Sequence, residues 1–229
     1  MALIKHLLGE MSGKIGGAVF GHNRGGSFVR KWKKPTNPNS NAQMLVRRGV
    51  ANLVAVWGEL LTEANRESWI NYAKNVAMKN RLGETIFLTG QNHFVRSNAP
   101  RLQNGLARVD SAPTVFNLGD FAPTSMTCVA VDVLSLAFDD TAVWADEDGS
   151  AMLLQQSLGK NPSIGFFKGP FISVAAMEGD NAAPPTTPAA VTLISNVADT
   201  QKVFLRARIS RVDGRLSSAQ TIAAIVAIP

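Results

Sequence analysis

The C-terminal half of the chain alternates apolar and polar positions in short runs. Turn sequences separate these runs, among them "DEDG", "GKNP", "EGDN" and "VDGR". A period of two is typical of strands that bury one face. The predicted strands cover residues 127–136, 142–145, 151–157, 164–177, 191–194, 202–212 and 217–228. Many short strands with turns between them predict an antiparallel β-sandwich, and Asp213-Gly214 predicts a hairpin between the last two.

The N-terminal part begins with two β-rich runs, residues 15–20 and 27–32, on either side of "GHNRGG". Glycine and asparagine between apolar runs predict a β-hairpin. Pro35 and Pro38 follow, and each disfavours helix at the residue before it. We therefore expect a hairpin arm followed by an extended segment.

Helical periodicity follows this arm. Ser40 and Gln43 form an S-x-x-Q capping box, which predicts a helix over about residues 41–60. Its predicted apolar face consists of Val46, Val50, Leu53, Val54, Trp57 and Leu61. Thr62 is predicted to cap a second helix, with Trp69, Tyr72, Ala73 and Val76 on its apolar face. Thr89 is predicted to cap a third helical segment that ends at Pro100.

The change of pattern at Asp110 predicts two modules with opposite charge. Residues 1–110 contain 16 Lys and Arg against 6 Asp and Glu, whereas residues 111–229 contain 7 against 11. We predict an α+β protein with a basic anchoring domain at residues 1–109, formed by the hairpin arm and a small helical unit, and a β-sandwich at residues 110–229.

Motifs for catalysis or cofactor binding are not found in the sequence. "GEMSGKI" lacks the G-x-x-x-x-G-K-[ST] spacing of a phosphate-binding loop, and Ile15 stands where the metal-binding hydroxyl belongs. The histidines have no partners at metal-binding spacing, and Cys128, as the single cysteine, cannot form an intrachain disulfide. The sequence contains no run of about 18 apolar residues, so no membrane-spanning helix is predicted. We expect no enzyme activity, no cofactor, no metal, no small-molecule substrate and no membrane partner.

The basic segment from residue 11 to residue 58 contains eight Lys and Arg and no acidic residue. The candidate partner-binding residues are Lys14, Arg24, Phe28, Arg30, Lys31, Trp32, Lys33, Lys34, Arg47 and Arg48. Cations interleaved with aromatic rings suit either of two partners. They can contact the phosphates of a nucleic acid, or they can dock into an acidic protein groove.

Three stretches carry a resemblance to a known group of proteins: "GKIGGAVFGHNRGGSFVRKWKKPTNPNSNAQMLVRR", "LTEANRESWINYA" and "LTGQNHFVRSNAPRL". Together they resemble an uncharacterised family from tailed-bacteriophage and prophage structural gene neighbourhoods, with N-R-G-G, P-T-N-P and L-T-x-x-x-R-x-x-W motifs over residues 13–105. The resemblance implies a multi-copy virion protein made in the bacterial host cytoplasm. Its partners would be major capsid, neck or tail proteins, with a possible contact to packaged DNA. It would be a capsid decoration or minor head protein, or a neck or tail accessory.

Two further resemblances concern separate parts of the chain. The C-terminal half resembles a fibronectin type III-like domain in its strand pattern. The stretch "VWGELLTEANRESWINYAKN" is similar to the helix pair of HMG-box DNA-binding proteins, through Trp57, Leu61, Thr62, Arg66 and Trp69. The second resemblance implies an alternative function, sequence-tolerant DNA binding by the basic hairpin and this helix pair.

Overall fold

The protein, which we describe from a computed structural model, consists of antiparallel β-sheets and three α-helices. The structure describes residues 2–3, 11–24, 26–34, 36–80, 82–119, 125–130, 133–194 and 197–226. The chain divides into two compact units, Met1–Val95 and Arg96–Pro229. The predicted α+β class is confirmed, because the helices occur together with several antiparallel sheets.

The first unit begins with a four-stranded antiparallel sheet in the order β1-β4-β3-β2. Its strands are β1 (Ala2–Leu3), β2 (Gly13–Ile15), β3 (Ala18–Asn23) and β4 (Gly26–Lys31). The predicted hairpin is confirmed between β3 and β4. The predicted strand at residues 15–20 is wrong in extent, because the chain turns at Gly16, whose φ of +54° suits glycine. Pro35 lies outside the described residues.

Three α-helices follow, with a short hairpin before the last. They are α1 (Asn41–Ala55), which continues as a π-helical turn over Val56–Leu60, α2 (Glu63–Asn75) and α3 (Gly90–Gln103), with β5 (Met78–Lys79) and β6 (Thr85–Ile86) between α2 and α3. Each helix has the predicted cap. The hydroxyls of Ser40, Thr62 and Thr89 accept hydrogen bonds from backbone N–H groups three residues later, over 3.4, 3.3 and 3.2 Å.

The end of α3 differs from the prediction. The helix continues through Pro100 to Gln103 although proline removes one backbone donor. Two side chains hold this last turn: the Asn104 amide donates to the Pro100 carbonyl over 2.7 Å, and Arg101 Nε donates to the Ala107 carbonyl over 2.8 Å. The prediction that the segment ends at Pro100 is therefore wrong.

An aromatic cluster forms the core of the first unit. Trp69 meets Tyr72 and Phe94 edge-on, with ring centroids 5.8 and 5.7 Å apart. The other buried apolar residues are Leu53, Val56, Leu61, Ala73 and Val76. The predicted apolar face of α2 is thus confirmed. On the predicted apolar face of α1, Leu53 is buried, whereas Val46, Val50 and Val54 are exposed.

The second unit contains two antiparallel sheets, with strand orders β10-β9-β12-β13 and β11-β8-β7. The strands are β7 (Ser125–Ala130), β8 (Val133–Ala137), β9 (Ala151–Gln156), β10 (Ile172–Glu178), β11 (Ala189–Thr192), β12 (Lys202–Ser210) and β13 (Gln220–Ile225). Both sheets contribute to one apolar core, for example through Leu134 of β8 and Leu205 of β12. This arrangement is sandwich-like, as the alternation predicts.

Three predicted strands of this unit need correction. Residues 127–136 form parts of two strands, β7 and β8, and only the last part of 164–177 is a strand, from Ile172 onward. Residues 142–145 form turns, with an Ala145 N–H to Ala142 carbonyl bond of 2.8 Å. Trp144 in this turn is buried in the core. The apolar residues of 142–145 therefore reflect a turn that packs on the core and not a strand.

The division between the units falls inside α3, ahead of the predicted boundary after residue 109. The second half of α3 and the loop after it pack with the second unit. Leu106 joins a small apolar cluster with Ala151, Leu153 and Leu216. A fragment that begins near Thr114 would lack this contact.

Candidate partner-binding surface

The eight cations of the basic segment are all exposed on the first unit. Lys14 lies in β2, Arg24 in the turn after β3, Arg30 and Lys31 at the end of β4, Lys33 and Lys34 in the extended segment after it, and Arg47 and Arg48 in α1. The structure therefore distributes them over a sheet, a connecting segment and a helix. This spread provides a broad basic surface rather than one pocket.

Of the two candidate aromatic residues, Trp32 is the one available to a partner. Its side chain is 51% exposed, and the Nζ of Lys14 lies 4.2 Å from the ring centroid, a cation–π contact. Phe28 is half-buried against Gly21, where an added Cβ would lie 2.7 Å from the Phe28 ring. Phe28 therefore packs within the sheet, whereas Lys14 and Trp32 form a cation–π pair at the surface.

The extended segment is tied to α1 by one side-chain bond. The Nη1 of Arg47 donates to the Asn37 amide oxygen over 2.8 Å. The sequence gives no indication of this contact, since ten positions separate the residues. It fixes Arg47 while leaving Arg48, on the same helix, exposed.

An exposed apolar stripe lies on α1. Val46, Val50 and Val54 recur every four residues and are all exposed, and Leu45 beside them is 71% exposed. Positions four apart lie on one helix face. The sequence predicted these valines as part of a buried helix face, because their spacing follows the helical period. In the structure, the described residues of this chain leave these side chains exposed.

The residues of the HMG-box resemblance have internal roles. Leu61 and Trp69 are buried, and Thr62 caps α2. Trp57 contacts the Phe94 ring, with centroids 5.7 Å apart, and the Nη1 of Arg66 donates to the Gly58 carbonyl over 3.3 Å. The matching residues are therefore explained by helix packing and capping.

The acidic turn at residues 146–148 is engaged in contacts within the second unit. Glu147 accepts from Arg211 Nε over 2.6 Å and also from the Ser150 hydroxyl, and Asp148 accepts from the Asn181 N–H over 2.8 Å. Burial raises the pKa of Glu147, but the hydrogen bonds from Arg211 and Ser150 outweigh this effect and hold the pKa below its ordinary value. Among the described residues, no group of three or more His, Cys, Asp or Glu is arranged to hold a metal ion.

Comparisons with known proteins leave the surface as the main source of functional information. No protein-family model matches the sequence, and no curated protein matches it at a significant level. In the part of the chain that the structure describes, no helix is long and apolar enough to cross a membrane. A functional proposal therefore starts from the exposed basic and apolar surface of the first unit.

Proposed function

We propose that this chain is a non-enzymatic structural protein of a tailed-phage virion, with its first unit as the anchor to other virion subunits. A capsid decoration or minor head protein is the preferred assignment, and a neck or tail accessory is the second. The observation that carries the proposal is the exposed stripe Val46, Val50 and Val54. It lies on a unit whose basic segment has eight exposed cations and contains no acidic residue. The sequence resemblance to phage structural gene products supports the virion assignment.

Burial of the α1 stripe would supply the affinity of such a contact. A subunit that covers these side chains gains about 25 cal/mol for each Å² of apolar surface removed from water. The neighbouring cations, including Arg48, would face an acidic groove on the partner and accelerate encounter. Apolar and electrostatic parts of the interface thus have separate, measurable contributions.

The edge strand β2 offers a second mode of contact. It lies at one end of the sheet order and its residues Gly13, Lys14 and Ile15 are exposed. An edge strand presents backbone groups to which a neighbouring chain can add a strand. Ile15, 62% exposed, would then be covered in the assembly.

The strand order of the second unit supports the resemblance to a fibronectin type III-like domain. In immunoglobulin-like sandwiches the first, second and fifth strands share one sheet, and the third, sixth and seventh share the other. Here β7, β8 and β11 share one sheet, and β9, β12 and β13 share the other with β10 at its edge. We propose that this unit is an accessory domain of the virion protein.

Mass spectrometry of purified particles, before and after DNA removal, tests the proposal directly. We expect the chain to be present in both preparations. The variant Val46→Ser/Val50→Ser/Val54→Ser should lose incorporation. Its matched control changes the exposed valines of the second unit, Val115, Val143 and Val212, to serine. Absence of the wild-type chain from particles, or equal incorporation of both variants, would contradict the proposal.

Sequence-tolerant DNA binding is the second candidate, favoured by the eight exposed cations and by the exposed ring of Trp32 in the same segment. If Lys33 and Lys34 contact phosphates, changing both to glutamine should reduce the salt slope of DNA affinity by about two. The control Lys74→Gln/Lys79→Gln removes the same charge from exposed positions outside the acid-free segment. Duplex binding by the free protein, together with loss from DNA-free particles, would favour this candidate over the virion anchor.

A further inference from the structure

The loop between β9 and β10 presents an exposed phenylalanine on the second unit. Residues 157–171 connect the two strands, and Phe166 within them is 79% exposed, whereas Phe167 is half-buried. The Phe167 ring stacks on Phe204 of β12, with centroids 5.6 Å apart and planes inclined by 26°. Phe167 also meets Phe171 edge-on, at 5.2 Å between centroids. Phe167 and Phe171 thus anchor the loop on the sheet, while the Phe166 ring stays open to solvent.

Three cations pack on the three anchoring rings. Each cation lies within cation–π distance of one ring centroid. The distances are 4.9 Å for Lys160 and Phe167, 5.8 Å for Lys202 and Phe204, and 4.6 Å for Arg206 and Phe171. We call these six residues the cation–aromatic cluster. The ring-to-ring and cation-to-ring distances join all six into one contiguous surface group.

Hydrogen bonds to uncharged groups hold the three cations in place. The backbone N–H groups of Lys160 and Lys202 each donate to the carbonyl of the other residue, over 2.9 and 2.8 Å. The Nζ of Lys202 donates to the Ile164 carbonyl over 3.0 Å, which ties the loop to β12. The Nε of Arg206 donates to the Gln155 side-chain oxygen over 2.9 Å. These partners orient the cations and fix the loop without neutralising any charge.

The segments that carry the cluster contain no acidic residue. Residues 149–177 and 200–212 together contain six Lys and Arg and no Asp or Glu, although the second unit as a whole has more acids than bases. The ion pairs in the described part of this unit involve Arg108, Arg211 and Arg215, and none includes a cation of the cluster. Lys168, exposed in the same loop, adds a further positive charge. Like charges on one surface attract a polyanion.

We propose that the cation–aromatic cluster, together with Phe166 and Lys168, binds single-stranded nucleic acid with little dependence on sequence. Proteins of this kind combine cations that follow the phosphate backbone with rings on which bases stack. Here Phe166 offers the ring, and the exposed Lys168 and the partly exposed Lys160 and Lys202 offer the phosphate contacts.

The exposed ring decides between the possible polyanions. A base can stack on a protein ring only where it is unpaired, which favours a single strand over a duplex. An acidic protein would match the cations but would leave Phe166 without a flat partner. The site lies on the second unit and does not depend on the proposed virion function.

Nuclear magnetic resonance titration of the isotopically labelled full-length protein with a short oligothymidylate tests the site. The amide signals of Gly165, Phe166 and Lys168 report binding to this loop separately from binding to the basic segment of the first unit. We expect these signals to shift and saturate. Shifts confined to the first unit, or equal shifts of these signals with duplex DNA, would overturn the proposal. Oligouridylate, titrated in parallel, distinguishes RNA from DNA as the preferred strand.

The variant Phe166→Ala removes the stacking ring. Affinity measured from the Gly165 and Lys168 signals should fall roughly fivefold to a hundredfold, the range for loss of one base–ring stack. Its Tm should match that of the wild type, because the ring is exposed. Phe166→Trp keeps a stacking face and should retain the affinity. Phe87→Ala is the matched control, since this 45% exposed ring lies on the first unit outside the basic segment. Wild-type affinity in Phe166→Ala would refute the site.

The variant Lys160→Gln/Lys168→Gln tests the phosphate contacts. Each contact to a single strand contributes about 0.7 to the salt slope, so the slope for this site should fall by about 1.4. Lys74→Gln/Lys79→Gln removes the same charge from exposed positions of the first unit and should leave the slope at this site unchanged. A short polyglutamate tests the rival partner. Saturable shifts of the loop signals with polyglutamate but not with oligothymidylate would overturn the proposal in favour of an acidic protein.

Discussion

The Nη2 of Arg101 donates a hydrogen bond of 3.0 Å to the backbone carbonyl of Gly149, 48 positions away in the sequence. The same guanidinium donates to the Ser210 hydroxyl over 3.1 Å and to the Arg211 carbonyl over 2.9 Å. Arg101 is only 2% exposed. Burial lowers its pKa, and the charges of Asp213 and Glu147 partly offset this effect. A single α3 side chain therefore connects the helix end to two separate parts of the β-rich unit.

Replacement of Arg101 by methionine should strongly destabilise the second unit. The change leaves acceptors at Gly149, Ser210 and Arg211 without their donor, with an expected loss of about 3–5 kcal/mol in unfolding free energy. Denaturant unfolding combined with hydrogen exchange of β9 and β12 measures it. Arg108→Met, at an exposed ion pair, should cost less than about 1 kcal/mol. Equal stability of the two variants would show that Arg101 does not organise this unit.

The Glu147–Arg211 pair should make stability depend on acid pH. The pKa of Glu147 is lower in the folded state than its ordinary value of 4.5, so its contribution is present at neutral pH and disappears as the pH falls through the folded pKa. Glu147→Gln should therefore destabilise the protein by about 1 kcal/mol at pH 7. Urea unfolding at pH 7 and near pH 3 should show the difference from wild type shrinking. A difference that stays constant over this range would exclude the pair as its cause.

Two glycines in helices should respond oppositely to alanine. At Gly90, the first residue of α3, an added Cβ would lie 2.8 Å from the Ile70 backbone nitrogen. Backbone cannot rotate away as a side chain can, so Gly90→Ala should cost about 1–3 kcal/mol. At Gly49 in α1 nothing lies within 4 Å, so Gly49→Ala should gain up to about 1 kcal/mol from helix propensity. Thermal unfolding followed by circular dichroism at 222 nm checks both, and a gain at Gly90 would contradict the close approach.

The segment between β4 and α1 should be cut first by trypsin in the free protein. Residues 32–34 and 36–40 are exposed and have no regular secondary structure, so cleavage is expected after Lys31 or Lys33. Lys202 is the internal reference, because it lies in β12 and its Nζ donates to the Ile164 carbonyl over 3.0 Å. In assembled particles the same segment should be protected, as peptide mapping would show. Equal cleavage rates in free and assembled protein would count against its role as an anchor.

Local interactions explain why the helix starts were predictable. Ser40, Thr62 and Thr89 each bond a backbone N–H three residues ahead, so the residues that determine the cap are neighbours in the chain. The same holds for β12 and β13, whose alternation and intervening turn predicted an antiparallel pair. The turn at Gly16 was missed because "KIGGAVF" is apolar on both sides of it and fits a single strand equally well.

The candidate site was only partly predictable. The cations of the basic segment were found because charge is a property of each residue. Whether an apolar helix face is covered depends on neighbours, and Val46 and Leu53 could not be distinguished by spacing although one is exposed and the other buried.

The α+β class, the capped helix starts, most strands of the second unit and the basic character of the first could be predicted from the sequence. Each of these depends on side-chain chemistry or on a period of a few residues. The burial of Arg101, the division of the units inside α3 and the exposure of the α1 stripe could not be predicted, because they depend on the folded chain. These features depend on contacts such as Arg101 with Ser210, 109 positions apart, because burial is a property of the three-dimensional neighbourhood and not of the residue alone.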